Sequence, residues 1–441
     1  MHALPLLAAV LAAQPAPIDF DTEVLPVLTR AGCNAGSCHG AASGRGGFRL
    51  SLWGSDPATD YEMIVRELEG RRVNLARPAR SLLLLKPTRQ LTHGGGRRLD
   101  PDGDGARRLL AWIEAGAPRL QKRRLDRFTV TPSDKILGNL EESVSLKPTA
   151  HFDDGTTADV TRWAVLTATD PASVEVRADG KAKVLRRGQH TVLVRYLDRV
   201  EAVRLTVPLG TTAVNLADAP RHNFIDDEVL ASLATLRLPP APPCDDSTFL
   251  RRVALDLTGT LPSPDEVRSF LADRRPDKRA RTIDRLLASH DFIDYWSLKW
   301  GNLLRISSAP LGKEGAKAFH VWMREQIARG TPLDVVAREL VTALGDGRRV
   351  GPANFSRIPG DARTQAEYIS RVFMGVRMQC ANCHNHPLDR WTQDDYHGLA
   401  TVFARLERHQ VVRLAGRGEI IHPRTGEPAL PRLPGTKFLE P

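Results

Sequence analysis

Cysteine is scarce in this chain: there are five in 441 residues. Four of the five fall in two short stretches far apart, which points to two built sites instead of scattered core thiols. Long apolar runs are missing as well. Leu4 to Ala13 is apolar, but a membrane-spanning helix needs about 20 such residues, and no later run approaches that length. Basic charge is plentiful without being gathered. The net charge is +10, yet pairs such as Arg71-Arg72, Arg97-Arg98, Arg123-Arg124, Arg186-Arg187 and Arg348-Arg349 are scattered, as on solvated faces. No recognition motif or aromatic-basic platform accompanies them, so nucleic acid is not a partner. There is no Ser-His-Asp order, no phosphate loop and no dinucleotide fingerprint. Carboxylate pairs such as Asp153-Asp154 and Asp226-Asp227 sit where turns and helix starts want them.

What is present is Cys380-Ala381-Asn382-Cys383-His384. C-x-x-C-H is the attachment motif of a c-type haem: the two thiols add to the vinyl groups and the adjacent imidazole reaches the iron. Zinc is the rival, since Cys380, Cys383, His384 and His386 form a nominal Cys2His2 set. All four lie within seven residues, which makes that set cramped, and His384 as iron ligand is the stronger assignment. The upstream stretch Cys33-Asn34-Ala35-Gly36-Ser37-Cys38-His39 has four residues between its thiols, so two must bulge. It reads as a second haem site, with a disulfide and a zinc site completed by His93 as alternatives. Cys244 stands alone in a Pro-rich turn and reads as a plain thiol.

Met1 to Pro17 reads as a secretory signal: a short apolar run is followed by small residues at Ala12, Ala13 and Ala16. Export to the periplasm or cell surface follows from it, and suits paired thiols. Residues 18–122 read as a small helical domain. Its expected helices are Asp19–Thr29, a segment opened by Thr59 or Asp60 and running to Leu68, Ser81–Leu85, and Arg107–Ala115 ended by Gly116. The motif at Cys33, the run Ser81-Leu82-Leu83-Leu84-Leu85-Lys86-Pro87 and the stretch His93-Gly94-Gly95-Gly96-Arg97-Arg98 resemble the planctomycete-type cytochrome c-like domain.

Residues 129–210 change to alternating apolar patterns, clearest at Val144–His151, Val192–Tyr196 and Ala202–Val207, with turns between them. The stretch from Ala150 to Thr161 and the turn Ala178-Asp179-Gly180-Lys181 resemble the group-2 bacterial Ig-like domain. That resemblance implies a β-sandwich, acting as a spacer or as a contact to polysaccharide or cell surface. Residues 219–410 read as helical. The run Arg251 to Gly259, Leu261-Pro262 and Cys380 to Tyr396 resemble the domain of unknown function that accompanies the cytochrome-like domain in the same family. Thr392 with Asp395 is expected to cap a helix from Gln393 to Glu407, with Leu399, Val402, Phe403 and Leu406 as its buried stripe. Residues 411–441 read as a Pro/Gly-rich tail, the start of a domain that the family usually continues into.

The expected fold is therefore multidomain: an all-α cytochrome c-like domain, a β-sandwich Ig-like domain and a mainly α-helical C-terminal domain. The expected function is electron transfer by one or two covalent haem c groups, with an unidentified redox partner. A scaffold with redox-sensing haem and a haem-dependent oxidoreductase remain as alternatives. At the first site Cys33 and Cys38 attach the ring, His39 is proximal and His93 distal. Arg97 and Arg98 follow, placed to pair with propionates. His93 is followed by three glycines, which let backbone approach a ring. At the second site Cys380 and Cys383 attach the ring and His384 is proximal. On its distal side the candidates are Met374, His397, His409 and His422; His397 is expected to project away from the buried stripe, His409 to lie nearer to it, and an open position is a real alternative.

Overall fold

The computed structural model describes residues 18–436 apart from residue 42. The expected signal at residues 1–17 lies outside the described residues. The chain divides into two compact units, Met1–Pro239 with Pro387–Arg390, and Pro240–His386 with Trp391–Pro441.

The first unit opens with a helical arm. Asp19 caps it by accepting from the Thr22 amide, a π turn covers Phe20–Val24, and α1 follows at Leu25–Arg30. Next come α2 (Pro57–Tyr61), α3 (Leu82–Leu85) and α4 (Asp104–Glu114). The cap of α2 is Asp56, which accepts from the Thr59 amide. Neither Thr59 nor Asp60 serves, because Pro57 fits the first helical turn and moves the start upstream. Nor does regular helix reach Leu68: a π turn spans Glu62–Arg66, and Leu68 takes a positive φ and is exposed.

Ten strands follow: β1 (Leu125–Thr131), β2 (Asp134–Ile136), β3 (Ser143–Ser145), β4 (Lys147–Phe152), β5 (Thr157–Asp159), β6 (Val165–Ala168), β7 (Val174–Val176), β8 (Lys181–Val184), β9 (Gly188–Tyr196) and β10 (Arg199–Val207). They form three small sheets, ordered β1-β4-β5, β2-β10-β9-β6 and β3-β8-β7. All pairs are antiparallel except β2 with β10. Alternating burial along β4 and β8 matches a strand with one face inward. One continuous apolar cluster runs from Phe20 and Trp112 through Phe128 and Val192 to Val207. Tyr196 Oη donates to the Thr22 carbonyl at 2.8 Å inside it. The helical arm and the strands thus share a core. The helix α5 (Phe224–Leu236) also belongs to this unit: the amides of Leu209 and Gly210 donate to the Leu236 carbonyl.

The second unit holds α6 (Asp246–Thr258), α7 (Pro264–Ala272), α8 (Lys278–Leu287), α9 (His290–Leu303), α10 (Ser308–Ala328), α11 (Leu333–Thr342), α12 (Ala362–Phe373) and α13 (Gln393–Val402). Ser263 and Glu266, a capping-box pair in the sequence with Pro264 at the first helical turn, form that box at the start of α7, and the expected cap of Thr392 with Asp395 is present too. Residues 348–361, a Gly/Pro-rich loop by sequence, hold a buried 3-10 helix at Gly351–Arg357. There the Asn354 amide donates to the carbonyls of Gly315, Gly347 and Gly351.

The last helix ends at Val402, not at Glu407. The chain then turns into β12 (Leu406–Arg408) and β13 (Val411–Leu414), which pair with β11 (Gly345–Asp346). Of the expected stripe Leu399 and Phe403 are buried and Leu406 is half-buried, but Val402 is exposed, and Tyr396, His397, Gly398 and Ala400 are buried beside Leu399. Nor do residues 411–436 trail away. Val412, Ile420 and His422 are buried, and the Arg432 amide donates to the Gly398 carbonyl. Gly398 carries this contact because a Cβ there would stand 2.5 Å from Arg432 Cβ.

Candidate functional site

The first Cys-Cys-His stretch follows α1 directly. The loop closes on itself through His39 N to Cys33 O (3.0 Å), Cys38 N to Ala35 O (2.9 Å) and Gly40 N to Ala35 O (3.1 Å). Asn34 is fully buried and its amide donates to Thr29 Oγ1, tying the loop to α1. Gly40 is obligatory, since a Cβ there would lie 2.1 Å from the Asn34 carbonyl oxygen. Gly36 and Ser37 form the exposed tip, while Cys33 and Cys38 stay buried. The two extra residues of the spacing are therefore looped out to solvent. Burial, with Cys38 adding to it, pushes the Cys33 thiol up to about 12, so this sulfur is a neutral thiol at ordinary pH.

These cysteines face a cavity of about 540 Å³, within the size range of cofactor and small-ligand pockets. Its apolar wall includes Leu28, Phe48, Leu50 and Leu83. His39 and His93 both line it, with ring centroids 6.2 Å apart and planes 17° from parallel. His39 Nδ1 lies 3.0 Å from the Phe48 carbonyl, and His93 Nδ1 lies 2.9 Å from the Gly96 carbonyl. A carbonyl accepts only, so each Nδ1 donates, which leaves Nε2 as the nitrogen of each ring that could bind a metal. Burial draws the His39 ring below its usual range, which favours the neutral form a metal needs. Gly95 sits beneath His93, where a Cβ would meet the ring at 2.9 Å from Cε1.

Arg98 lines the cavity and its Nε donates to the Gly95 carbonyl. Arg97 does not line it and is exposed. Sequence reasoning passed over Arg45, Arg71, Arg72 and Lys86, which also line it. Arg72 is the buried one. It donates to the carbonyls of Met63 and Gly47, pairs with Glu67 at 2.7 Å, and lies 4.3 Å over the Phe48 ring. The pair Arg71-Arg72 was visible in the sequence, but nothing in its spacing tied it to the motif. Met63 is absent from the lining.

The second stretch is built differently. Cys380 and Cys383 are exposed on a 3-10 turn, Gln379–Asn382. His384 Nδ1 meets only the carbonyl of its own neighbour Asn385, at 2.8 Å. The turn hangs from the start of α13: His397 Nε2 donates to the Asn382 carbonyl at 3.0 Å, and the Gln393 amide donates to Asn385 Oδ1 at 2.9 Å. His397 is fully buried, contrary to the expectation of an outward ring, because the residues after α13 fold back over that face. Its ring stands edge-on to His422, 4.9 Å away. His422 Nε2 in turn lies 3.1 Å from Asp394 Oδ1. His409 is exposed in the turn between β12 and β13. Cys244 is half-buried, and its carbonyl accepts from Arg279.

Among the described residues, no three His, Cys, Asp or Glu side chains converge to hold a metal ion directly. No helix among them is long and apolar enough to cross a membrane. No curated protein matches the chain. A family model described as PSCyt2, protein of unknown function (DUF1549), matches residues 224–408, a span that holds α5 to α13 and the second Cys-Cys-His stretch but not the first.

Proposed function

We propose that the chain is an exported electron-transfer protein whose N-terminal cavity holds a covalent c-type haem between His39 and His93. One observation carries this reading. Two imidazoles that shared one metal ion through Nε2, each at about 2 Å, would have ring centroids about 6 Å apart. His39 and His93 stand 6.2 Å apart, nearly parallel, and each has its Nδ1 held by a backbone carbonyl. Cys33 and Cys38 line the same cavity, and Arg98 supplies a cation for a propionate. Such a haem supplies one-electron chemistry. The chain's part is to fix both imidazoles through Phe48 O and Gly96 O, exclude water with Leu28, Leu50 and Leu83, and hold the ring edge against arginine.

The helical arm of residues 18–122 fits a cytochrome c-like domain, and the strands of residues 129–210 fit an Ig-like sandwich acting as a spacer. The second stretch keeps the covalent half of a haem site without the opposing imidazole. His397 is engaged by Asn382, His422 by Asp394, and His409 is exposed. We read it as the attachment point of a second haem with an exchangeable distal position. Two imidazoles set a lower potential than an imidazole with a thioether, so the first haem is a low-potential relay.

The test is haem retained after denaturation of protein matured in a host that attaches c-type haem. Two haems per chain are expected, one lost in the Cys33→Ala/Cys38→Ala variant and the other in Cys380→Ala/Cys383→Ala. Stoichiometric zinc with no covalent haem would overturn the reading.

A further inference from the structure

The mouth of the N-terminal cavity carries more positive charge than its occupant needs. Five cations line it, namely Arg45, Arg71, Arg72, Lys86 and Arg98, and no Asp or Glu does. Arg72 is buried and neutralised by Glu67. The other four are exposed. Arg98 is tied to the Gly95 carbonyl, and Lys86 Nζ reaches the Thr92 carbonyl at 3.4 Å. Neither contact is to an anion. Arg45 and Arg71 make no ion pair among the described residues. The two propionates of a haem would offset two of the four charges and leave a net positive rim around the ring edge.

We propose that this rim is the docking surface for the redox partner, and that the partner is a protein presenting a cluster of carboxylates around its own redox centre. The proposal rests on the haem reading above. Like charge around one opening adds its potential, and a low-dielectric wall such as Leu83 and Pro87 focuses it outward. Complementary charge sets encounter rate and orientation more than final affinity. Here it would orient a partner with its centre facing the haem edge. A haem bound between His39 and His93 would accept one electron there from the partner's centre, with no proton or bond changing hands. The rim lies at the cavity, unlike the scattered arginines elsewhere, so the attraction is local and not merely a consequence of the +10 net charge.

The probe is an acidic plant-type [2Fe–2S] ferredoxin, a low-potential donor. Its equilibrium binding to the full chain is measured between 20 and 200 mM salt, and haem content is assayed separately on the same sample. The expected dissociation constant rises at least about tenfold across that range. At low salt, Arg45→Glu/Arg71→Glu weakens binding by at least about tenfold, whereas Arg251→Glu/Arg252→Glu, an exposed pair on α6, changes it little. Equal losses in the two variants would reduce the effect to overall charge and overturn the proposal. So would salt-independent binding, or a rim that responds to ferricyanide but not to the ferredoxin. Haem-free protein would sink the haem reading instead, which the separate assay reveals whatever the binding result.

Discussion

The two Cys-Cys-His stretches share their chemistry and differ in what surrounds them. At Cys33 the thiols are buried, the loop is pinned by Asn34 and Gly40, and a second histidine faces the first across a cavity. At Cys380 the thiols are exposed, and the nearest buried histidine is spent on the turn's own backbone. The spacing of the residues ranks them the other way round, because C-x-x-C-H is the tighter motif. Motif tightness reports how the sulfurs attach. It says nothing of the far side of the ring, which comes from residues distant in sequence.

The largest consequence is in ligand binding. On the proposed reading, in which His93 would close the first haem, carbon monoxide should bind the reduced protein at the second haem only. His93→Ala should open the first, convert its low-spin spectrum to high-spin, add a second carbon monoxide equivalent and raise its potential. An unchanged spectrum with haem still bound would remove His93 from the site and dissolve the contrast between the two stretches.

A smaller effect tests how tightly the first ring is held. Gly95→Ala would press a methyl against His93 at 2.9 Å. The ring must shift by a few tenths of an ångström, or the loop must give. A mixed spectrum, mostly low-spin with a high-spin fraction below that of His93→Ala, is expected by absorption or electron paramagnetic resonance. A wild-type spectrum would mean that the loop from Gly94 to Gly96 yields freely and does not hold the ligand.

Much of this architecture was legible. The helix ends at Gly116 and the capping boxes at Ser263 and Thr392 depend on local chemistry, and local chemistry is written in adjacent residues. Pairing His39 with His93 needed only the glycines after His93. The burial of His397 was not legible, because residues 411–436 cover it and helical periodicity knows nothing of a segment that returns later. Arg45, Arg71 and Arg72 were hidden for the same reason: they reach the cavity from loops whose paths are set by tertiary packing. Arg97 failed by one residue, since it is Arg98 that lines the cavity, and the path of the irregular loop after His93 is not written in its spacing.

The smallest expected effect compares two buried titrating groups, one in each unit. Asp60 is fully buried and accepts from the Ser51 amide at 2.5 Å and the Ser51 hydroxyl at 2.7 Å. Burial outweighs those bonds and pushes its carboxyl up to about 7. The folded state therefore holds a proton that the unfolded chain releases, so stability falls as pH rises from the ordinary carboxylate range to about 7. The ceiling is about 4 kcal/mol, from a shift near three pH units. His397 runs the other way. Burial lowers it to about 4, opposed in part by the Asn382 carbonyl. Below its usual range the unfolded chain takes up a proton that the folded ring refuses, so stability falls as pH drops from about 6.5 to 4. Denaturation midpoints of Asp60→Asn and His397→Gln, each against wild type, separate the two. The first variant should gain on wild type between about pH 4 and 7. The second should gain on it between pH 6.5 and 4, with glutamine still able to donate to Asn382. A pH-independent difference in either variant would show that its residue is held by packing alone and that its proton plays no part in the fold.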